Sequence, residues 1–322
     1  MIKILKSNKT YIILLITICF IFILSPAIYI QSSLNAISLW ATKVVPSLLP
    51  FFIITRMIVN LVSMKPNRMD KLMNKVYHTG NMSSIILFLS LISGYPMGAK
   101  LVCLMHEKGQ VNHSQAYKLL SICSVSGPMF MVGTVGVGIL LSFKAGIIIM
   151  ISNIISSLIN GLLYRGQPVE LDNEIYSSKQ EHNSLQDTVY DSLISILMVG
   201  GFMLLSFLMI DILNNLNIIP FLSHTVSSIS HHTISPEIVS SILNGSIEIT
   251  RGIVDLSGCF CSLKIKTIIS SALIAFGGIS ITLQSLSFLS KLKISIGKIL
   301  KQKLTQCLIC IIVSIILSHI FI

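Results

Sequence analysis

The chain has 322 residues, of which 53% are hydrophobic and only 11% charged, with a mean hydropathy of +0.84. Soluble domains carry about 25% charged residues, so a soluble globular class is excluded and an all-α polytopic membrane protein is expected. The net charge of +11 comes from a few Lys and Arg patches without aromatic interleaving, which suits short cytoplasmic loops rather than a nucleic-acid surface.

Lys3, Lys6 and Lys9 precede an apolar run near 11–30 that lacks a small-residue cleavage site. It predicts a retained first transmembrane helix, with 1–35 as an N-terminal unit. Further full-length spans are predicted near 39–62, 145–164, 190–213, 267–290 and 304–322, whereas 82–142 and 236–262 are apolar but repeatedly interrupted. The basic runs Lys65, Arg68, Lys71 and Lys75; Lys108 and Lys118; and Lys291, Lys293, Lys298, Lys301 and Lys303 are read as cytoplasmic. The segment 165–187 reads as a solvated cytoplasmic linker and 214–235, free of Lys and Arg, as an external loop; Lys264 and Lys266 on the outer side are the one misfit. Lys43 and Arg56 lie near helix ends, where snorkelling is the default. "CFC" (259–261), "CLIC" (307–310) and the pair His231–His232 have no second ligand cluster beside them, so no metal or cofactor is expected. No G-x-S-x-G elbow, Gly-Lys phosphate loop or H-E-x-x-H motif is present, and the chain is not expected to be an enzyme.

Self-similarity appears at a fixed offset of 151. "PSLLPFFIITRMIVNL" (46–61) lies over "LMVGGFMLLSFLMIDI" (197–212), with Asn60 on Asp211. "LISGYPMGAKLV" (91–102) lies over "ILNGSIEITRGI" (242–253), with Ser93 on Asn244, Gly94 on Gly245 and Lys100 on Arg251; Gly127 falls on Gly278. Combined with the distribution of basic loops, this predicts two inverted-topology repeats, 36–142 and 187–290, each with a re-entrant hairpin and an interrupted helix. A linking helix and cytoplasmic loop fill 143–186, and a basic loop and C-terminal helix fill 291–322. Non-helical backbone at bilayer depth is tolerated only against protein or a water-filled cavity, and paired breaks in inverted repeats are an arrangement of secondary transporters.

The residues at the breaks are the candidate substrate contacts: Ser93, Gly94, Tyr95, Pro96, Lys100, Ser126, Gly127 and Pro128 in the first unit, and Asn244, Glu248, Arg251 and Gly278 in the second. Half-helix N-termini favour anions. Lys100 and Arg251 add full charges, so a small dicarboxylate or one anion between the two cations is expected; Glu248 and Asp255, three before and four after Arg251, could instead neutralise it. Glu248 could bind a proton or help to coordinate Na⁺, or could accept hydrogen bonds from a neutral solute. Ser280 and Gln284 add neutral polar groups.

"SGYPMGAK", "SVSGPMFMVGTVGVGIL" and "NGSIEITRG" resemble the sporulation integral membrane proteins of the YlbJ type, in the wider nucleoside-recognition Gate group, which is distantly similar to concentrative nucleoside transporters. The resemblance spans about residues 36 to 290. It implies alternating-access transport of dipicolinic acid across the outer forespore membrane during sporulation, with a small anion and the lipid bilayer as partners. Other readings are a nucleoside or neutral small-solute carrier and a non-transporting sporulation scaffold. Coupling to H⁺ or Na⁺, a homo-oligomer and sporulation partner proteins are left open by the sequence.

Overall fold

The computed structural model describes residues 8–61, 67–80, 82–166, 184–231, 233–289, 292 and 294–322. Lys3, Lys6, Lys65, Lys291, Lys293, His232, the side chain of Asn60 and most of the predicted linker 165–187 lie outside them. The described chain is all-helical, 85% helix, and five helical stretches, two of them made of consecutive helices, are long and apolar enough to cross a membrane.

The first predicted span is divided. Helix α1 (Asn8–Leu24) ends before Ser25, and α2 (Pro26–Leu39) starts on Pro26 at its first position. Proline lacks the N–H that would continue α1, but it is pre-set for a helix start. A π-helical stretch at Trp40–Val44 carries α2 into α3 (Val45–Leu61), and together they form an apolar span. Where a basic run was expected after α3, α4 (Arg68–Tyr77) forms an amphipathic helix. Asn67 and Asp70 cap it reciprocally, and the Asp70 carboxylate also accepts from the amide and the hydroxyl of Ser84, at 2.9 and 2.8 Å. Burial alone would push the Asp70 carboxyl up, but the donors of Asn67 and Ser84 hold it below its ordinary value. This stabilisation is full above the unfolded carboxylate value and is lost as pH falls through the lower folded one. Asp70→Ala should therefore cost about 1–3 kcal/mol at neutral pH, and the gap between the two melting temperatures should narrow in acid.

Short helices follow in pairs. Helices α5 (Ser83–Ser93) and α6 (Met97–Glu107) have 11 residues each, about 16 Å at 1.5 Å per residue, half a bilayer core. Then come α7 (His113–Cys123), a π-helical stretch (Met129–Val137) and the long α8 (Phe143–Tyr164). The second half runs α9 (Leu185–Asn215), α10 (Ile218–Ile229), α11 (Pro236–Ile247), α12 (Ile249–Gly258), α13 (Leu263–Phe276), α14 (Gly278–Leu289) and α15 (Ile296–Phe321). The starts of α10, α11, α12, α13 and α15 each lie within two residues of those of α4, α5, α6, α7 and α8 shifted by 151.

Two expectations are corrected here. The predicted external loop 214–235 holds α10, whose Pro220 lies in its first turn, where proline is tolerated. The predicted C-terminal span starts eight residues early: α15 begins after the cap Ser295, so Lys298, Lys301 and Lys303 are helical rather than loop, because lysine is a good helix former and charge does not stop a helix. Lys264 and Lys266, the topological misfit, have local partners. Lys266 donates to the Ser257 carbonyl near the negative end of α12 at 2.6 Å, and Lys264 lies 3.4 Å from a ring nitrogen of His319.

Helices α8 and α15 pack together and are tied to the shorter helices by polar side chains. Asn160 donates to the carbonyls of Ser121 and Gln302, Asn153 to Ser271, and Gln302 to Tyr117. One apolar core, including Phe52, Met131, Phe207, Ile253 and Ile274, gathers α3, the π-helical stretch, α9, α12 and α13, and the central cavity lies within it.

Candidate functional site

Both halves bring two glycines of the breaks together. Gly94 has φ +69°, and a Cβ there would overlap the backbone of Gly127. At the same offset Gly278, φ +61°, packs on the carbonyls of Gly245 and Ile247, 3.4 and 3.1 Å from where its Cβ would stand. At Gly94 a side chain is excluded because main chain meets main chain, and at Gly278 the positive φ and the nearby carbonyls make one strained.

Beside these contacts lies a cavity of about 40 Å³ lined by Tyr95, Ser126, Glu248, Thr250 and Gln284 among apolar residues that include Leu48, Phe130, Val199 and Met203. It has room for a few waters. Glu248 is the single residue between α11 and α12 and is 6% exposed; its carboxylate caps α12 by accepting from the Arg251 amide at 2.7 Å. The half-helix N-terminus expected to hold an anion thus carries the protein's own carboxylate.

Helix α9 provides a ruler. Residues 191, 195, 199, 203, 207 and 211 form one four-residue ridge along it. Asp191 pairs with Arg56, which is therefore held by a carboxylate rather than snorkelling. Ser195 accepts from Lys100 at 3.3 Å, Val199 and Met203 face the cavity, Phe207 lies under the Arg251 guanidinium, and Asp211 pairs with Arg251 at 3.3 Å. Ser195 and Asp211 are sixteen residues apart, about 24 Å along the axis. Lys100 and Arg251 therefore cannot grip one small molecule together in this arrangement, and the expected two-cation clamp is corrected to two charged clusters on either side of the cavity.

The clusters differ in balance. Arg251 also meets Asp255 at 3.3 Å, and Asp255 accepts from Asn244 at 2.8 Å. Lys100 shares its own pocket, of about 130 Å³, with Arg56 and Asp191, lies 5.3 Å from the centre of the Phe288 ring, and has no carboxylate within 4 Å among the described residues. Of the remaining candidates, Ser93 bonds back to the Leu89 carbonyl of its own helix, Pro96 and Pro128 precede α6 and the π-helical stretch, and Gln284 bonds to Ser280. Among the described residues no group of three or more His, Cys, Asp or Glu could hold a metal.

Sequence reasoning missed Thr250 in the cavity wall and Lys303 behind it. Lys303, 3% exposed, donates to the Tyr95 hydroxyl and to the Ser124 carbonyl, the latter at 3.3 Å. The available signal was the polar stripe Gln302, Gln306, Cys310, Ser314 and Ser318 on α15, which sets one face of that helix toward protein.

The chain is 26% identical over 292 residues to the sporulation integral membrane protein YlbJ of Bacillus subtilis (strain 168), covering 83% of this chain and 72% of that one. The similarity supports assignment to the YlbJ type. No protein-family model and no solved structure matches the chain.

Proposed function

We propose that this YlbJ-type membrane protein is a transporter of a small organic anion, with dipicolinate moved across the outer forespore membrane as the substrate its family resemblance implies, and that it works by alternating access. The observation that carries the reading is the small cavity at the helix breaks, partly polar in its lining and flanked along α9 by a charged cluster on each side. The recurrence of element starts and of the paired glycines at 151 residues supports two inverted repeats. In this reading the repeats extend to α8 and α15, and the short pairs α5–α6 and α11–α12 are re-entrant hairpins. Transport then exchanges which charged cluster opens to the cavity.

Glu248 sets a condition on the anion reading. A carboxylate substrate cannot rest beside a second ionised carboxylate in a water-poor cavity, so Glu248 carries a proton when the anion is bound and the two move together. Labelled dipicolinate uptake into proteoliposomes should be saturable and should accelerate in a pH gradient directed with the flux. In Glu248→Gln the gradient should lose its effect while binding persists. Uptake indifferent to the gradient in the wild-type protein would overturn proton coupling.

One observation favours a second reading. The cavity wall itself presents a carboxyl, an amide and hydroxyls, with Lys100 and Arg251 engaged elsewhere, a set suited to a neutral solute such as a nucleoside. Competition settles the choice: nucleosides blocking dipicolinate uptake, or being taken up in its place, would support the neutral carrier.

A further inference from the structure

Three helix ends converge on one ammonium group. Lys303 projects from α15 onto Tyr95, which lies in the break between α5 and α6, and onto the carbonyl of Ser124, the residue that closes α7. The Tyr95 hydroxyl donates to that same carbonyl at 2.6 Å, and the position a Cβ would take on Gly277, which closes α13, lies 3.4 Å from Nζ. Helices α7 and α13 both end here, presenting carboxyl ends whose last carbonyls lack intrahelical partners and whose dipoles are negative. Among the described residues no carboxylate stands within 4 Å of Nζ. Carbonyl, phenol and helix dipoles surround the charge, much as oxygen ligands and dipoles surround a bound alkali cation.

In carriers built from interrupted helices, unwound carbonyls and half-helix carboxyl ends are where Na⁺ binds. We propose that the Lys303 ammonium occupies the place of such a cation. It is a tethered ion that holds the α5–α6 break, the end of α7 and the α13–α14 break together, so the protein needs no dissociable alkali cation. As a statement about coupling this rests on the transporter reading; as a statement about what fills the junction it does not. It also assigns Lys303, the innermost member of a basic run, a role in the membrane interior that the charge pattern of loops conceals.

The test uses the full-length purified protein in detergent, with thermal unfolding followed in choline, sodium or methylammonium chloride at equal ionic strength. Wild type should melt at the same temperature in all three. Lys303→Ala should lose roughly 6 °C in choline and regain at least half of it in sodium or methylammonium, because a small cation refills the vacated place and stabilises by mass action. Lys301→Ala, on the exposed face of the same helix, should behave as wild type. If Lys303→Ala fails to fold in choline, recovery of folded protein only in sodium or methylammonium supports the proposal, and failure in every salt overturns it. A sodium-specific stabilisation of wild type, or a Lys303→Ala protein unaffected by the choice of cation, also overturns it. No substrate enters these measurements, so their failure is distinguishable from failure of the transport assay.

Discussion

Gly94→Ala should remove most of the stably folded protein, and this is the largest single-residue effect the structure implies. Gly94 has φ +69° and ψ −162°, a region open essentially only to glycine, so any side chain costs about 1–3 kcal/mol in backbone strain. The added Cβ would also overlap the backbone nitrogen and Cα of Gly127, and main chain cannot turn aside as a flexible side chain can. Strain and overlap together imply a loss above about 3 kcal/mol and a melting temperature lower by about 10 °C. Gly201→Ala is the matched control. Gly201 lies inside α9 with nothing within 4 Å of a built Cβ, so alanine there should be neutral or stabilising by up to about 1 kcal/mol. Equal melting of the Gly94 variant and wild type would mean that the break does not have the close main-chain contact described.

The second large effect separates two cations that look alike in the sequence. Arg251→Met leaves Asp211 and Asp255, with side chains 16% and 30% exposed, facing each other without their shared partner. Removing one member of a buried pair costs about 3–5 kcal/mol, and the partial exposure places this case near the lower end. Asp211→Asn with Asp255→Asn in the same chain should restore much of the loss, because the three residues form one coupled unit. Lys100→Met should melt within a few degrees of wild type. Its ammonium bonds to a hydroxyl and its charge lies near the Phe288 ring, so no carboxylate is orphaned directly. If uptake falls several-fold in Lys100→Met while folding persists, Lys100 acts on the path of the solute. If Arg251→Met folds as well as wild type, the ion pairs at that cluster contribute nothing.

Much of this arrangement was legible from the residues, and the omissions have physical causes. "SGYPMG" places glycine and proline where a helix must stop, and the stop is there; the 151-residue offset carried that break onto the stretch beginning at Gly245, and the structure places it at Glu248, three residues on, with Gly245 inside α11. Hydropathy could not divide the first span, because α1 and α2 are both apolar and one proline decides where the chain breaks. Nor could it find α10, since an amphipathic helix has the same average composition as an apolar loop. Neighbours in the sequence suggested Glu248 and Asp255 as partners for Arg251. Asp255 does pair with it, but Glu248 turns to the Arg251 amide, and Asp211 joins from forty residues upstream. A long-range pair of this kind depends on how α9 lies against α12, which no local pattern encodes. Lys303 was hidden for the opposite reason: it belongs to a basic run that the sequence reads as a cytoplasmic loop, and only the direction of one helix face distinguishes it.

The single residue joining α11 to α12 also fixes how that half can move. The break between α5 and α6 spans Gly94, Tyr95 and Pro96, whereas Glu248, with φ −137° and ψ +117°, is by itself the whole joint between two helices. A joint of one residue has two soft torsions, so the elbow can swing but cannot lengthen or slip. Any swing about it redirects the carboxylate that lines the cavity. Under the proposed transport function, hinge and solute contact on that side are the same residue, so a substitution that retunes solute preference there should also alter the mechanics of opening.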